Sequence, residues 1–143
     1  MRYSEYVGTE SSFQDSIDLR YDAGPNGEAC MVLAIQPMHL NAGRVLHGGV
    51  AMTMLDVAMA NMCRERDTLG RRAVTVEMKT NFLRPGGGVG DSVVASGTVR
   101  HVTQSMAFCD GELRDMAGTL LATASGTFRF VGAASPAGSA KVG

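Results

Sequence analysis

No stretch of this sequence approaches the run of about 18 apolar residues that a membrane span needs. The opening residues, Met1-Arg2-Tyr3-Ser4-Glu5-Tyr6, lack the apolar core of a signal peptide. Basic charge is not in surplus either: 13 Lys and Arg stand against 14 Asp and Glu, a formal net charge of -1. Duplex DNA is bound by a basic excess, so nucleic acid is not an expected partner. Only three cysteines occur, Cys30, Cys63 and Cys109, far apart and without a CxxC pair or a His-Cys cluster. That pattern gives zinc and dithiol redox chemistry little support and reads as reduced, buried thiols in a soluble, cytoplasmic protein. Tryptophan is absent and aromatics make up 6%, whereas the ten methionines point to a pliable apolar interior or ligand groove. With 45% hydrophobic and 19% charged residues, the 143-residue chain is not disordered over most of its length. It is long enough to bury a core as one domain without disulfide or metal staples.

One domain is expected over residues 1–131, followed by an Ala/Gly/Ser-rich tail at 132–143 that reads as frayed. Within the domain, Ser12 to Ile17 predicts a short helix and Gly24-Pro25-Asn26-Gly27 a turn. Ala29 to Ile35 is a continuous apolar run stopped by Pro37, as a buried strand would be. Asn41-Ala42-Gly43-Arg44 reads as a loop, His47-Gly48-Gly49 follows, and Val50 to Arg64 is rich in the good helix formers Ala, Met and Leu. That helix is apolar on nearly every side, so it is expected in the interior. Val74 to Phe82 alternates, placing Val74, Val76, Met78 and Phe82 on one face and Thr75, Glu77, Lys79 and Asn81 on the other. Three more strands are predicted at Ser92–Val102, Met106–Arg114 and Gly118–Phe130, the last two joined by a hairpin at Asp115–Gly118. These elements describe an α+β domain: a four-strand antiparallel meander plus one earlier strand, wrapped around a long buried helix.

Asp56 is the most informative residue. Its helical neighbours Met52, Thr53, Met59 and Ala60 include no cation, so its carboxylate has no ion partner on its own helix. Either a strand hydroxyl or the surface satisfies it, or it is held for chemistry. Gly48 and Gly49 open the same helix, where unpaired amides and the helix dipole can polarise a carbonyl and hold an oxyanion. The plainer role for these glycines is a sharp turn into the helix. Eight residues separate Gly48 from Asp56, roughly 12 Å of helix. A carbonyl held at the Gly48 amide is therefore out of easy reach of water held by the same chain's Asp56. If both act on one bond, the carboxylate comes from a second subunit, which predicts a homodimer with two sites at its two-fold interface. His47 serves as a base or orients the loop. Asn41 places a water or carbonyl, or simply closes a turn. Thr75, on the polar face of its strand, assists Asp56 or is an ordinary strand threonine. The Gly86–Gly90 loop lacks the Lys-Ser/Thr of a phosphate-cradling loop, and no G-x-S-x-G elbow or Cys-His arrangement occurs.

Asn41-x5-His47-Gly48-Gly49, the helical Asp56, and Thr75-x-Glu77 running to Phe82-Leu83-Arg84-Pro85 resemble the phenylacetate-pathway (PaaI-like) thioesterases over roughly residues 28–130. The resemblance implies a hotdog fold, assembly into dimers and often tetramers, and hydrolysis of acyl-CoA thioesters. By resemblance, the Gly48 amide polarises the thioester carbonyl and Asp56 of the partner subunit is the general base or nucleophile. Asn41, His47 and Thr75 position carbonyl, water and carboxylate. CoA contacts fall on Phe82, Leu83, Arg84 and Pro85 and on the segment from Arg100 and His101 to Gln104 and Ser105. Arg84, Arg100, His101 and Arg129 are the candidates for its phosphates, since cationic side chains match phosphate charge. The family commonly carries a Gly followed by a basic residue before the third meander strand, where this chain has Thr103-Gln104. No metal or other cofactor is called for, because backbone dipoles activate the carbonyl and the CoA thiolate leaves readily. The expected acyl group is aromatic or of medium chain length. The other readings of the same fold are a non-catalytic acyl-CoA-binding protein and an acyl-CoA hydratase or dehydratase. The unpaired helical carboxylate argues for turnover.

Overall fold

The Ala-, Met- and Leu-rich run forms a long helix, α3 (Gly48–Arg66), in the computed structural model, which describes residues 1–132. The remainder of the predicted tail, from Ala133 on, lies outside the described residues. The helix begins where His47 turns extended (φ -63°, ψ 133°) and its ring Nδ1 accepts from the Gly49 N–H at 2.8 Å. Arg64 and Arg66 complement the negative end of the dipole in its last turn. Met54, Leu55, Ala58, Met59 and Cys63 are wholly buried, as the near-absence of a polar face predicts. No helix among the described residues is long and apolar enough to cross a membrane.

Around α3 curls one antiparallel sheet of six strands: β1 (Arg20–Ala23), β2 (Ala29–Ala34), β3 (Arg72–Phe82), β4 (Ser92–Val102), β5 (Met106–Asp115) and β6 (Leu120–Val131). Strands β2 to β6 all pack against the helix. The order across the sheet is β1-β2-β4-β5-β6-β3, which corrects the expected four-strand meander. Strands β4, β5 and β6 do follow one another, joined by tight turns such as Asp115–Thr119. By contrast, β3 pairs with β6 and stands at the far edge. The segment 83–91 between β3 and β4 holds Pro85 and several glycines instead of a two-residue hairpin turn, and it carries the chain across the sheet.

The alternation predicted for β3 also needs correction. A bulge between Thr75 and Glu77 inserts an extra residue and shifts the pleat. Before it, Ala73 and Thr75 face the helix and Val74 is exposed; after it, Met78 and Thr80 face inward. Val76 and Phe82 are exposed as well, so the four apolar residues do not share one buried face.

Three elements carry no prediction from the sequence: the helix α1 (Tyr3–Val7), the strand β1 and a 3-10 turn at Pro37–His39. The second short helix, α2 (Ser12–Ser16), falls where one is expected. The amino-terminal segment is tied down by Tyr6, whose ring stacks on Tyr21 at 4.0 Å and whose hydroxyl donates to Glu65.

Glycines set how closely the helix approaches the sheet. A Cβ on Gly97 would stand 3.1 Å from the Ala58 carbonyl oxygen and the Met59 Cα, both backbone atoms of α3. Gly111, opposite Gly97 in the β4–β5 register, and Gly126 on β6 meet Met59 side-chain atoms at 3.2 Å in the same way. Gly97→Ala therefore forces helix and sheet apart, at a cost of about 1–3 kcal/mol. The expected outcome is a lower denaturant midpoint with an unchanged slope in equilibrium unfolding, and a wild-type midpoint would contradict this packing.

Candidate active site

Three pieces of chain pin the start of α3. The His47 N–H donates to the His39 carbonyl at 2.7 Å, and the Leu46 N–H donates to the Gly87 carbonyl at 2.8 Å. Asn41 closes the intervening loop: its N–H donates to the Val45 carbonyl, and its Oδ1 accepts from the Val45 N–H at 3.2 Å. His39, wholly buried, is a positioning residue that the sequence reading missed. Its Nδ1 accepts from the Gln36 N–H at 2.9 Å, so its Nε2 carries the proton and donates to the Ile17 carbonyl at 2.7 Å. The only sequence signal was a histidine two residues after a turn-forming proline.

The first-turn amides of α3 are then accounted for one by one. Val50 and Ala51 donate to the His47 carbonyl, and Gly49 donates to the His47 ring. The ring nitrogen that would act as a base is occupied in capping the helix. Gly48 remains: among the described residues nothing accepts from its N–H. It lines a cleft of about 440 Å³ with Asn41, Phe82, Leu83, Arg84 and Pro85. The Phe82 ring covers the Gly48 Cα, at 3.4 Å from where a Cβ would stand. A free amide at a helix start in a largely apolar cleft is suited to hold a carbonyl oxygen as it gains negative charge.

Asp56 lies about two turns further along the helix and lines a different cleft. Its Oδ1 accepts from the Thr75 hydroxyl at 2.6 Å, the strand contact that the sequence allowed for. Its Oδ2 accepts nothing, and no cation pairs with it, among the described residues. One carboxylate oxygen is anchored and the other is available. Asp56 and Thr75 line a second cleft of about 250 Å³ with Tyr3, Gln14, Asn61 and Arg64. The two clefts have no lining residue in common.

The remaining candidates divide between the two ends of the sheet. Phe82, Leu83, Arg84 and Pro85 stand in the Gly48 cleft. Arg100, His101, Gln104, Ser105 and Arg129 do not. Arg100 is paired with Asp110 at 3.1 Å, and the His101 ring stacks on Phe108 at 6.2 Å between centroids. The Gln104 carbonyl accepts from Arg71 at 2.9 Å, and the Ser105 carbonyl accepts from the Phe130 N–H at 2.9 Å. Arg129 is exposed opposite Val74 and Met106, beside the start of β3 and so toward the Asp56 end. Among the described residues no group of three or more His, Cys, Asp or Glu side chains is placed to hold a metal ion.

Residues 43–122, which include Gly48, Asp56, Thr75 and the Phe82–Pro85 segment, match the family described as the thioesterase superfamily. A human relative, acyl-coenzyme A thioesterase 13, is 30% identical over 99 residues, covering 67% of this chain and 68% of its own length. A Bacillus halodurans protein solved with CoA superposes with a TM-score of 0.81 at 22% identity, covering 91% of this chain and 85% of its own. The Escherichia coli PaaI protein from the phenylacetic acid degradation operon does so with a TM-score of 0.80 at 22% identity, covering 92% of each chain. These likenesses bear out the hotdog fold and the resemblance read from the motifs. With its free helix-start amide and its anchored carboxylate inside the matched span, the chain belongs to the thioesterase superfamily and is a thioester hydrolase.

Proposed function

We propose that two copies of this chain hydrolyse acyl-CoA thioesters, with aromatic or medium-chain acyl groups, at sites shared between them. The carrying observation is the division of the chemistry: the unpartnered Gly48 amide and the Thr75-anchored Asp56 line separate clefts of one chain. The substrate class is supported by the name of the human relative and by the CoA in the Bacillus structure. A second copy is also supported by β3, an 11-residue edge strand that exposes Val74 and Val76. Long edge strands present unpaired backbone groups that favour pairing with another chain. All three cysteines are free and buried, which suits a reducing, cytoplasmic setting.

In this reading the thioester oxygen accepts from the Gly48 N–H, with the Phe82–Pro85 segment along the CoA arm and Arg84 near its phosphates. The available Oδ2 of Asp56 from the partner subunit meets the carbonyl carbon from the other side. It either takes a proton from water, whose oxygen then bonds to carbon, or bonds to carbon itself and is released by water in a second step. In both routes charge builds on the oxygen at Gly48, the C–S bond breaks, and CoA leaves as thiolate to be protonated by solvent. Arg100, His101, Gln104, Ser105 and Arg129 lie toward the Asp56 end and would meet CoA from the carboxylate-bearing chain.

Thiol release from a panel of aromatic, short and medium-chain acyl-CoAs is the direct test. Asp56→Asn is expected to lower kcat about 100-fold or more with the oligomer intact, and an unchanged rate removes Asp56 from the reaction. Gly48→Pro deletes the one amide in question at a helix position that tolerates proline, after a residue already extended. A loss of about 100- to 1000-fold is expected there, whereas Gly48→Ala, which keeps the N–H and meets Phe82 only at ordinary contact distance, retains most of the rate. Subunit sharing is tested by co-expressing the Asp56→Asn and Gly48→Pro chains. Random pairing then restores about a quarter of the wild-type rate, because half the dimers carry one intact site of two. No recovery would place both groups on one chain.

A further inference from the structure

Asn61 lies on α3 five residues beyond Asp56, about 7.5 Å further along the helix. It is one of only two buried polar or charged residues among those described, at 2% exposure. Its Oδ1 accepts from the Tyr3 hydroxyl at 3.3 Å, and its Nδ2 has no hydrogen-bond partner among the described residues. An unmatched buried donor is costly, and such groups call for an acceptor that arrives from elsewhere. The side chain is part of the wall of the Asp56 cleft, beside Tyr3, Gln14 and Arg64. Arg64 has no carboxylate partner among the described residues and rests over the Tyr6 ring at 5.8 Å. Beside its carboxylate, then, the cleft sets the polar groups of Tyr3, Gln14, Asn61 and Arg64 among the apolar Val57, Ala60 and Ala73.

We propose that Asn61 determines substrate choice: its Nδ2 takes an acceptor oxygen at the far end of an acyl group whose thioester carbon sits at Asp56. This rests on the composite-site reading above and deepens it. The acyl group runs along α3 away from Asp56, and the class of substrate is an acyl-CoA bearing a distal carbonyl or carboxylate oxygen. Tyr3 is a positioning residue: its hydroxyl holds the amide by Oδ1 and leaves the buried Nδ2 unpartnered. Tyr3 and Gln14 come from the amino-terminal helices, outside the span that matches the family. This chain's acyl selectivity thereby draws on the amino-terminal segment as well as on α3.

The test compares kcat/KM for heptanoyl-CoA, adipoyl-CoA and the monomethyl ester of adipoyl-CoA, similar in length and differing in the distal group. The oxygen-bearing substrates are expected to be favoured at least about tenfold over heptanoyl-CoA. A lead for adipoyl-CoA assigns Arg64 a share in neutralising a carboxylate, and a lead for the ester assigns a neutral acceptor. Asn61→Leu is expected to collapse the ratio toward one. Should that buried substitution fail to fold, Tyr3→Phe, which keeps the ring and removes only the hydroxyl, is expected to lower the ratio several-fold. Equal kcat/KM for the three substrates in the wild-type enzyme, or a ratio that survives both substitutions, overturns the proposal while leaving thioester hydrolysis standing. Absence of hydrolysis with all three, together with the wider panel, overturns both readings.

Discussion

Everything that the molecule presents at its clefts depends on how closely α3 can lie on the sheet. Backbone atoms of Ala58 and Met59 rest on Gly97, and Met59 fills the space left by Gly111 and Gly126, so the middle of the helix is clamped. A clamped helix acts as a ruler. Its pitch puts Gly48 and Asp56 two turns apart and rotates them by about 80° around the axis. Its start and its β3 flank are the parts left open, and Gly48, Asp56 and Asn61 are found there. The buried side of the helix carries methionine, leucine and alanine because nothing polar can be satisfied against the inner face of the strands.

That constraint explains why the site is legible in the sequence at all. A carboxylate in an otherwise apolar helix, and two glycines after a histidine at its start, are local features that can be read without knowing the fold. Thr75 could be linked to Asp56 by its residue type, although the bulge turns it to the inward face shared with Met78 and not to that of Glu77 and Lys79. The helix and five of the six strands were legible for the same reason, since composition and periodicity carry them. What escaped notice is non-local. Nothing in the spacing of β3 says that it pairs with β6 and not with β4, because pairing depends on where segment 83–91 travels. The bulge between Thr75 and Glu77 reverses the faces of Val74 and Val76 without altering a residue type. The four residues of β1, mostly exposed, give no alternation to detect. His39 looks like any residue of a proline turn until its ring is seen joining Gln36 to Ile17.

The two histidines that precede α3 show how similar side chains take different duties. His39 is buried and fully hydrogen-bonded, and its carbonyl fixes His47. His47, on the surface, turns one ring nitrogen to the Gly49 amide and so withdraws it from proton transfer. Of the first helical amides, three have acceptors and one does not. Such selective satisfaction differs from a generic helix end, where water would meet all of them. A single free donor under a phenylalanine ring defines one position for one oxygen, and preorganisation of that kind is what stabilises a developing charge.

The amino-terminal segment extends the same logic to the other cleft. Tyr6 stacked on Tyr21 holds α1 against the sheet edge, and Tyr3 is thereby delivered to Asn61. Ile17, just beyond α2, accepts from His39, so this segment also braces the loop that begins α3. The residues before position 43 thus touch both ends of the machinery without contributing an attacking or polarising group. A division of this sort lets the walls of the Asp56 cleft vary while the helix, its free amide and its carboxylate stay fixed. The free amide and the carboxylate sit on the helix that glycines let lie closest to the sheet, and the lining of the Asp56 cleft comes in part from the amino-terminal segment.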